Sequence, residues 1–204
     1  MIESDKIKLA SQQLASLSTE AINELLKDMA NALEAGAEEI LVANERDLSR
    51  MDSSDPKYDR LRLTHERLSA IASDCRNVAS LPSPLGRILS QRTMPNGLEI
   101  SRVSVPFGVI GVIYEARPNV TLDVTALCLK AGSAVILKGG SDAIYAGHEL
   151  YNDAVKRVAS AADVQMIYVS NAFHDTQKYL CVDGIHPNKA GQEKIAKTIV
   201  RAIV

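Results

Sequence analysis

Tryptophan is absent, and aromatic residues make up only 4% of the 204-residue chain. Surfaces that stack sugars or unpaired bases are built from aromatic side chains, so neither role is indicated. No apolar run approaches the roughly 20 residues needed to cross a bilayer. The opening stretch, Met1-Ile2-Glu3-Ser4-Asp5-Lys6, is charged and lacks the apolar segment of a secretory signal. The three cysteines, Cys75, Cys128 and Cys181, are widely separated and odd in number. They offer neither metal-ligand spacing nor a disulfide framework, and a reducing cytoplasm is the expected setting. A net charge of −2 gives no electrostatic case for nucleic acid. What is present is ordinary for a globular protein, with 46% hydrophobic and 24% charged residues. The length suits one large domain or two small ones.

Residues 7–49 read as helical, since Leu14, Leu17, Ile22, Leu25, Leu26, Met29 and Leu33 recur at three- and four-residue spacing. Ser18 is a candidate cap, with Asn23, Glu24 and Lys27 on the wet side. A second helical stretch runs through Ala37-Glu38-Glu39-Ile40-Leu41, and Asp52–Pro56 is a loop by composition. Thr64-His65-Glu66-Arg67 fits a cap with an acidic first turn, followed by an apolar face of Leu68, Ile71, Cys75, Val78 and Leu81. Beyond the Pro95-Asn96-Gly97 turn, Leu98–Val103 alternates as a half-buried strand would, and is expected at the edge of the sheet or in a hairpin. Val109–Tyr114 is a continuous apolar run, as in a strand buried on both faces. A helix over residues 119–131, with Leu122, Leu127 and Leu129 inward, leads to a second buried strand at Ala134–Leu137. Strand, helix and strand at this spacing form a βαβ unit. A helix to about residue 160, a third strand at Val164–Val169 and an amphipathic helix from Gln192 to Ile203 complete the pattern. The fold class expected is α/β: three-layer, with a mostly parallel sheet and an amino-terminal helical region.

One segment carries a specific likeness. Val105-Pro106-Phe107-Gly108-Val109-Ile110-Gly111-Val112-Ile113-Tyr114-Glu115-Ala116-Arg117-Pro118-Asn119-Val120-Thr121 resembles the signature of the γ-glutamyl phosphate reductases. The match continues from Leu127 through Lys138-Gly139-Gly140-Ser141-Asp142-Ala143, and Arg62-Leu63-Thr64 and Pro95-Asn96-Gly97-Leu98 also fit. It covers residues 1 to about 147. The resemblance implies a partial Rossmann domain of the aldehyde dehydrogenase type, binding NADPH and a small-molecule substrate. By family, the reaction is reduction of γ-glutamyl phosphate to glutamate 5-semialdehyde in proline biosynthesis. Lys138 ends a strand at the carboxyl edge of a parallel sheet, where such folds bind ligands. By resemblance it contacts the cofactor's adenosine ribose or 2′-phosphate; by itself it reads as a solvated strand end. Gly139, Gly140 and Ser141 would carry the chain past the same ligand, or make an ordinary strand-to-helix turn. Asn119 stands where relatives place an amide that holds the substrate oxyanion; it also suits a helix cap. Arg117 would pair an anionic substrate group or form a structural salt bridge.

The resemblance also implies a catalytic cysteine in a carboxyl-terminal domain, and none of the three cysteines stands in its context. Cys75 and Cys128 read as small buried hydrophobes, and Asp183 opposes a reactive thiolate at Cys181. From residue 148 to 204 the likeness changes. Asp183-Gly184-Ile185-His186-Pro187-Asn188 and the helix after it resemble the last block of SGNH (GDSL-type) hydrolases. There an Asp-x-x-His pair serves a serine nucleophile. Here Asp183 and His186 have no nucleophile block to act on, Ser170 is not in one, and a helix-capping loop accounts for the pair as well. The expected organisation is therefore a reductase-like unit at 1–147, joined to a hydrolase-like segment at 148–204 that completes the same layer. Three functions compete: a reductase fragment that binds NADPH, an ester or acyl hydrolase, and a non-catalytic remnant. Assembly as a homo-oligomer is left open; membrane and nucleic-acid partners are not expected.

Overall fold

The computed structural model describes residues 4–114, 117–138 and 167–168. Three helices open the chain: α1 (Ser4–Ser16), α2 (Thr19–Ala35) and α3 (Ala37–Leu48). Ser18 caps α2, its hydroxyl accepting from the Ala21 amide at 3.1 Å. Gly36 separates α2 from α3. After the short α4 (Tyr58–Leu61), Thr64 caps α5 (His65–Ser80) and accepts from the Arg67 amide at 3.2 Å. Each cap satisfies an amide that the first helical turn leaves without an internal partner. Buried Asn44 ties the α4–α5 connection to α3, donating to the Leu61 carbonyl at 2.9 Å and accepting from the Leu63 amide at 2.8 Å.

Two strands, β1 (Ile88–Thr93) and β2 (Glu99–Val103), form an antiparallel hairpin with a bulge between Ile88 and Ser90. Gly97 turns the chain with φ +84°, a region that favours glycine. The expectation of a half-buried strand here is corrected: every residue of both strands is exposed. The alternation therefore records a hairpin with two sides, not a side packed on the core.

The chain then enters the second sheet. β3 (Val109–Ile113), α6 (Pro118–Lys130) and β4 (Ala134–Lys138) make the expected βαβ unit. β3 and β4 pair in parallel from Val109↔Ala134 to Ile113↔Lys138. β5 (Ile167–Tyr168) adds to the other side of β4, also parallel, in the order β3-β4-β5. The described part of the third expected strand, residues 167–168, is thus in the same sheet. Central β4 is buried through Leu137, whereas β3, expected to be covered on both faces, is only half-buried, and Ile113 is exposed. An edge strand lacks the neighbour that shields a central one.

Helix α6 packs against both the helical core and the sheet. Leu122, Ala126 and Leu129 join the helical core with Leu26, Met29 and Leu68. Cys128 packs instead with Val135 and Leu137 of the sheet. Leu127, expected to face inward, is 56% exposed, because both buried faces of the helix are taken by its neighbours. Gly132 ends the helix at φ +62°, and a Cβ there would sit 2.6 Å from Leu85 Cδ1. Any side chain at that position would push Leu85 aside. The helix expected to reach about residue 160, the one from Gln192 to Ile203 and nearly all of the 148–204 segment lie outside the described residues.

Candidate functional site

Parallel pairing brings the carboxyl ends of β3 and β4 to one edge, with Ile113 beside Lys138. The chain leaves β3 at that edge and returns as α6, so the first turn of α6 lies there too. Arg117 is the N-cap of α6, with φ −123° and no side-chain capping bond, and Pro118 occupies the first turn. Proline suits this place because its missing N–H would have had no helical partner. Asn119 is therefore inside the helix and is not its cap. Its side-chain nitrogen donates to Asp123 Oδ2 at 3.1 Å, one turn further on.

A separate polar set stands on the other side of α6, two residues round the helix from this pair. The Tyr114 hydroxyl and Thr121 Oγ1 are 2.6 Å apart, and Thr125 donates to the Thr121 carbonyl at 2.6 Å. Burial pushes the Tyr114 phenol above its ordinary pKa, against the bond to Thr121. Burial also raises the Asp123 carboxyl; the Asn119 bond opposes this and the Asp74 charge adds to it. Both carboxyl and phenol thus hold their protons more firmly than in water. At the opposite end of α6, Lys130 is buried and donates to Asn23 Oδ1 at 2.6 Å and to the Ala79 carbonyl at 2.9 Å. Asn23, placed on the wet side by its spacing, turns inward to meet this ammonium group.

The cysteines in the described residues are poor nucleophiles. Burial, aided by the Asp123 and Asp74 charges, pushes the Cys75 thiol up to about 11. Burial raises Cys128 as well. Both are free thiols. Among the described residues no group of His, Cys, Asp and Glu could hold a metal ion, and no helix is long and apolar enough to cross a membrane.

Of the residues singled out by sequence, Asn119 and the backbone of Lys138 come to one sheet edge. Gly139, Gly140, Ser141, Asp183 and His186 lie outside the described residues, as do Ser170 and Cys181. Asp123, Tyr114, Thr121 and Lys130 were not singled out. Asp123 could have been found, since it stands four residues after Asn119 in a helix and such pairs face each other. Lys130 gave no local signal, because a lysine at a helix end normally reads as solvated.

No family model matches the chain. A γ-glutamyl phosphate reductase from Chlorobium phaeobacteroides is 59% identical over 141 residues, which is 69% of this chain and 34% of that protein. The crystal structure of γ-glutamyl phosphate reductase from Thermotoga maritima superposes with a TM-score of 0.77 at 32% identity, covering 83% of this chain and 42% of that one. An acetylating aldehyde dehydrogenase from Geobacillus thermoglucosidasius shares the fold, with a TM-score of 0.60 at 13% identity over 96% of this chain and 38% of that one. The chain spans about a third of the length of the curated relatives it matches. Identity this high over so long a stretch does not arise from shared composition, and the βαβ unit with its Asn119 edge lies on an aldehyde-dehydrogenase-like α/β fold; over its first 150 or so residues the chain is homologous to the γ-glutamyl phosphate reductases.

Proposed function

We propose that this chain carries the nicotinamide-nucleotide-binding part of a reductase of proline biosynthesis, acting in the cytoplasm on γ-glutamyl phosphate to give glutamate 5-semialdehyde. The observation that carries the reading is the juxtaposition at one parallel-sheet edge of the first turn of α6, with Asn119, and the end of β4, with Lys138. Open α/β sheets take ligands at this edge. NADPH would supply the hydride; Lys138, Gly139, Gly140 and Ser141 would hold its adenosine end. A lysine at the strand end suits a ribose 2′-phosphate, since an ammonium group is a compact point charge. Asn119 would donate an amide N–H to the oxygen on which negative charge builds as the acyl carbon is attacked. A small-molecule substrate and assembly into a homo-oligomer belong to the same reading.

The attack itself needs a thiolate beside the nicotinamide. Cys75 and Cys128 are buried with raised pKa values, so they do not supply it. By themselves these 204 residues bind cofactor and do not turn over. Calorimetry should therefore give NADPH binding that Lys138→Ala weakens, while NADP-dependent oxidation of glutamate semialdehyde stays at background. No heat at high NADPH concentration would remove the cofactor reading. Turnover abolished by Cys181→Ala would reveal a nucleophile in the tail. Release of nitrophenol from a short acyl ester, abolished by His186→Ala, would favour the hydrolase reading of Asp183 and His186 instead.

A further inference from the structure

The bond between Asn119 and Asp123 has a consequence for the direction in which Asn119 can donate. A side-chain amide is nearly symmetric in shape but not in chemistry, since one end accepts and the other donates two N–H groups. A half-turn about its last bond exchanges them. An ionised carboxylate only accepts, so a carboxylate 3.1 Å away admits the nitrogen and repels the carbonyl oxygen. One N–H is then committed to Asp123, and among the described residues the second has no partner.

We propose that Asp123 is a positioning residue for Asn119, selecting the amide orientation that leaves a donor free for substrate. This rests on Asn119 being the oxyanion donor. The groups that face Asp123 fit the role. Asn119 lies on its own helix, and Asp74 and the Cys75 thiol are coupled to it electrostatically from α5. Asp74 adds like charge to an already part-buried carboxylate, so the amide of Asn119 is a stabilising partner for the ionised form. Once protonated, Asp123 would offer an O–H as well as acceptors, and either end of the amide would serve.

The test is nuclear magnetic resonance of the 15N-labelled chain, with the Asn119 side-chain protons assigned by their loss in Asn119→Ala. Both protons should shift in a single step as Asp123 titrates, at a pH above the usual aspartate value because burial raises it. Asp74→Asn should keep the step and move it to lower pH, Asp123→Asn should abolish it and Asp123→Glu should restore it. Amide signals that ignore pH in the unaltered chain, or a step that survives Asp123→Asn, would overturn the proposal. The titration of the unaltered chain decides even where a variant fails to fold. Acetyl phosphate then separates the two ideas: a response of the second N–H, lost in Asp123→Ala, supports both. An amide that follows Asp123 while acetyl phosphate moves neither proton supports positioning by Asp123 and counts against the oxyanion reading.

Discussion

The helical layer and the β1–β2 hairpin lie within one chain and are held together by different forces. In α2, Leu26, Met29 and Leu33 are 0–1% exposed, and they meet Leu68 and Ala72 of α5 and Leu122 of α6. In the hairpin every residue is exposed, including Ile88 at 62% and Leu89 at 55%. Apolar burial holds the first region, and its worth grows with the area withdrawn from water. Ladder hydrogen bonds and a glycine turn hold the second, and a two-stranded hairpin alone is marginal in water. An apolar residue thus contributes according to what covers it, not according to its type.

Leu26→Ala should destabilise the chain by about 2–5 kcal/mol, since a fully buried leucine leaves a cavity as well as losing its own transfer energy. Urea unfolding followed by circular dichroism measures it, and a cost below ~1 kcal/mol would mean that the helices do not share one core.

Lys130 is a buried polar group of the same helical layer. Lys130→Ala should cost about 1–3 kcal/mol, because Asn23 and the Ala79 carbonyl lose their shared donor inside the bundle. Burial lowers the lysine's pKa in the folded chain, so between that value and the ordinary 10.5 the unfolded chain binds more protons. Stability relative to Lys130→Met should therefore rise as pH is raised through that window; no change would place the ammonium in water.

At the helix ends the effects shrink. Thr64→Ala should cost about 1 kcal/mol in the same unfolding experiment, the usual worth of an N-cap hydroxyl. Ile100→Ala in the hairpin should change stability by no more than about 0.5 kcal/mol, as exposed substitutions do. A larger loss would show that the hairpin is covered when the protein is in solution, for instance by a second copy.

These contrasts separate what local pattern could reveal from what it could not. The caps at Ser18 and Thr64 were legible, because capping depends on a side chain and amides three residues away. So was the βαβ unit, because a buried apolar run, a helix and a second run have few ways to meet. The partner strand β1 was missed: Ile88–Thr93 mixes apolar, polar and charged residues without strong alternation, and only pairing with β2 makes it a strand.

Local sequence was enough for helices α1–α3, α5 and α6, the caps at Ser18 and Thr64, the β3–α6–β4 unit and the likeness to γ-glutamyl phosphate reductases, all of which depend on residues near one another in the chain. Tertiary structure alone decided which faces are covered. It exposed Leu127 and the hairpin, since burial requires a neighbour and not merely an apolar side chain. It also drew Lys130 in to meet Asn23, 107 residues away, a pairing that no local pattern encodes because both partners come from helices brought together only by packing.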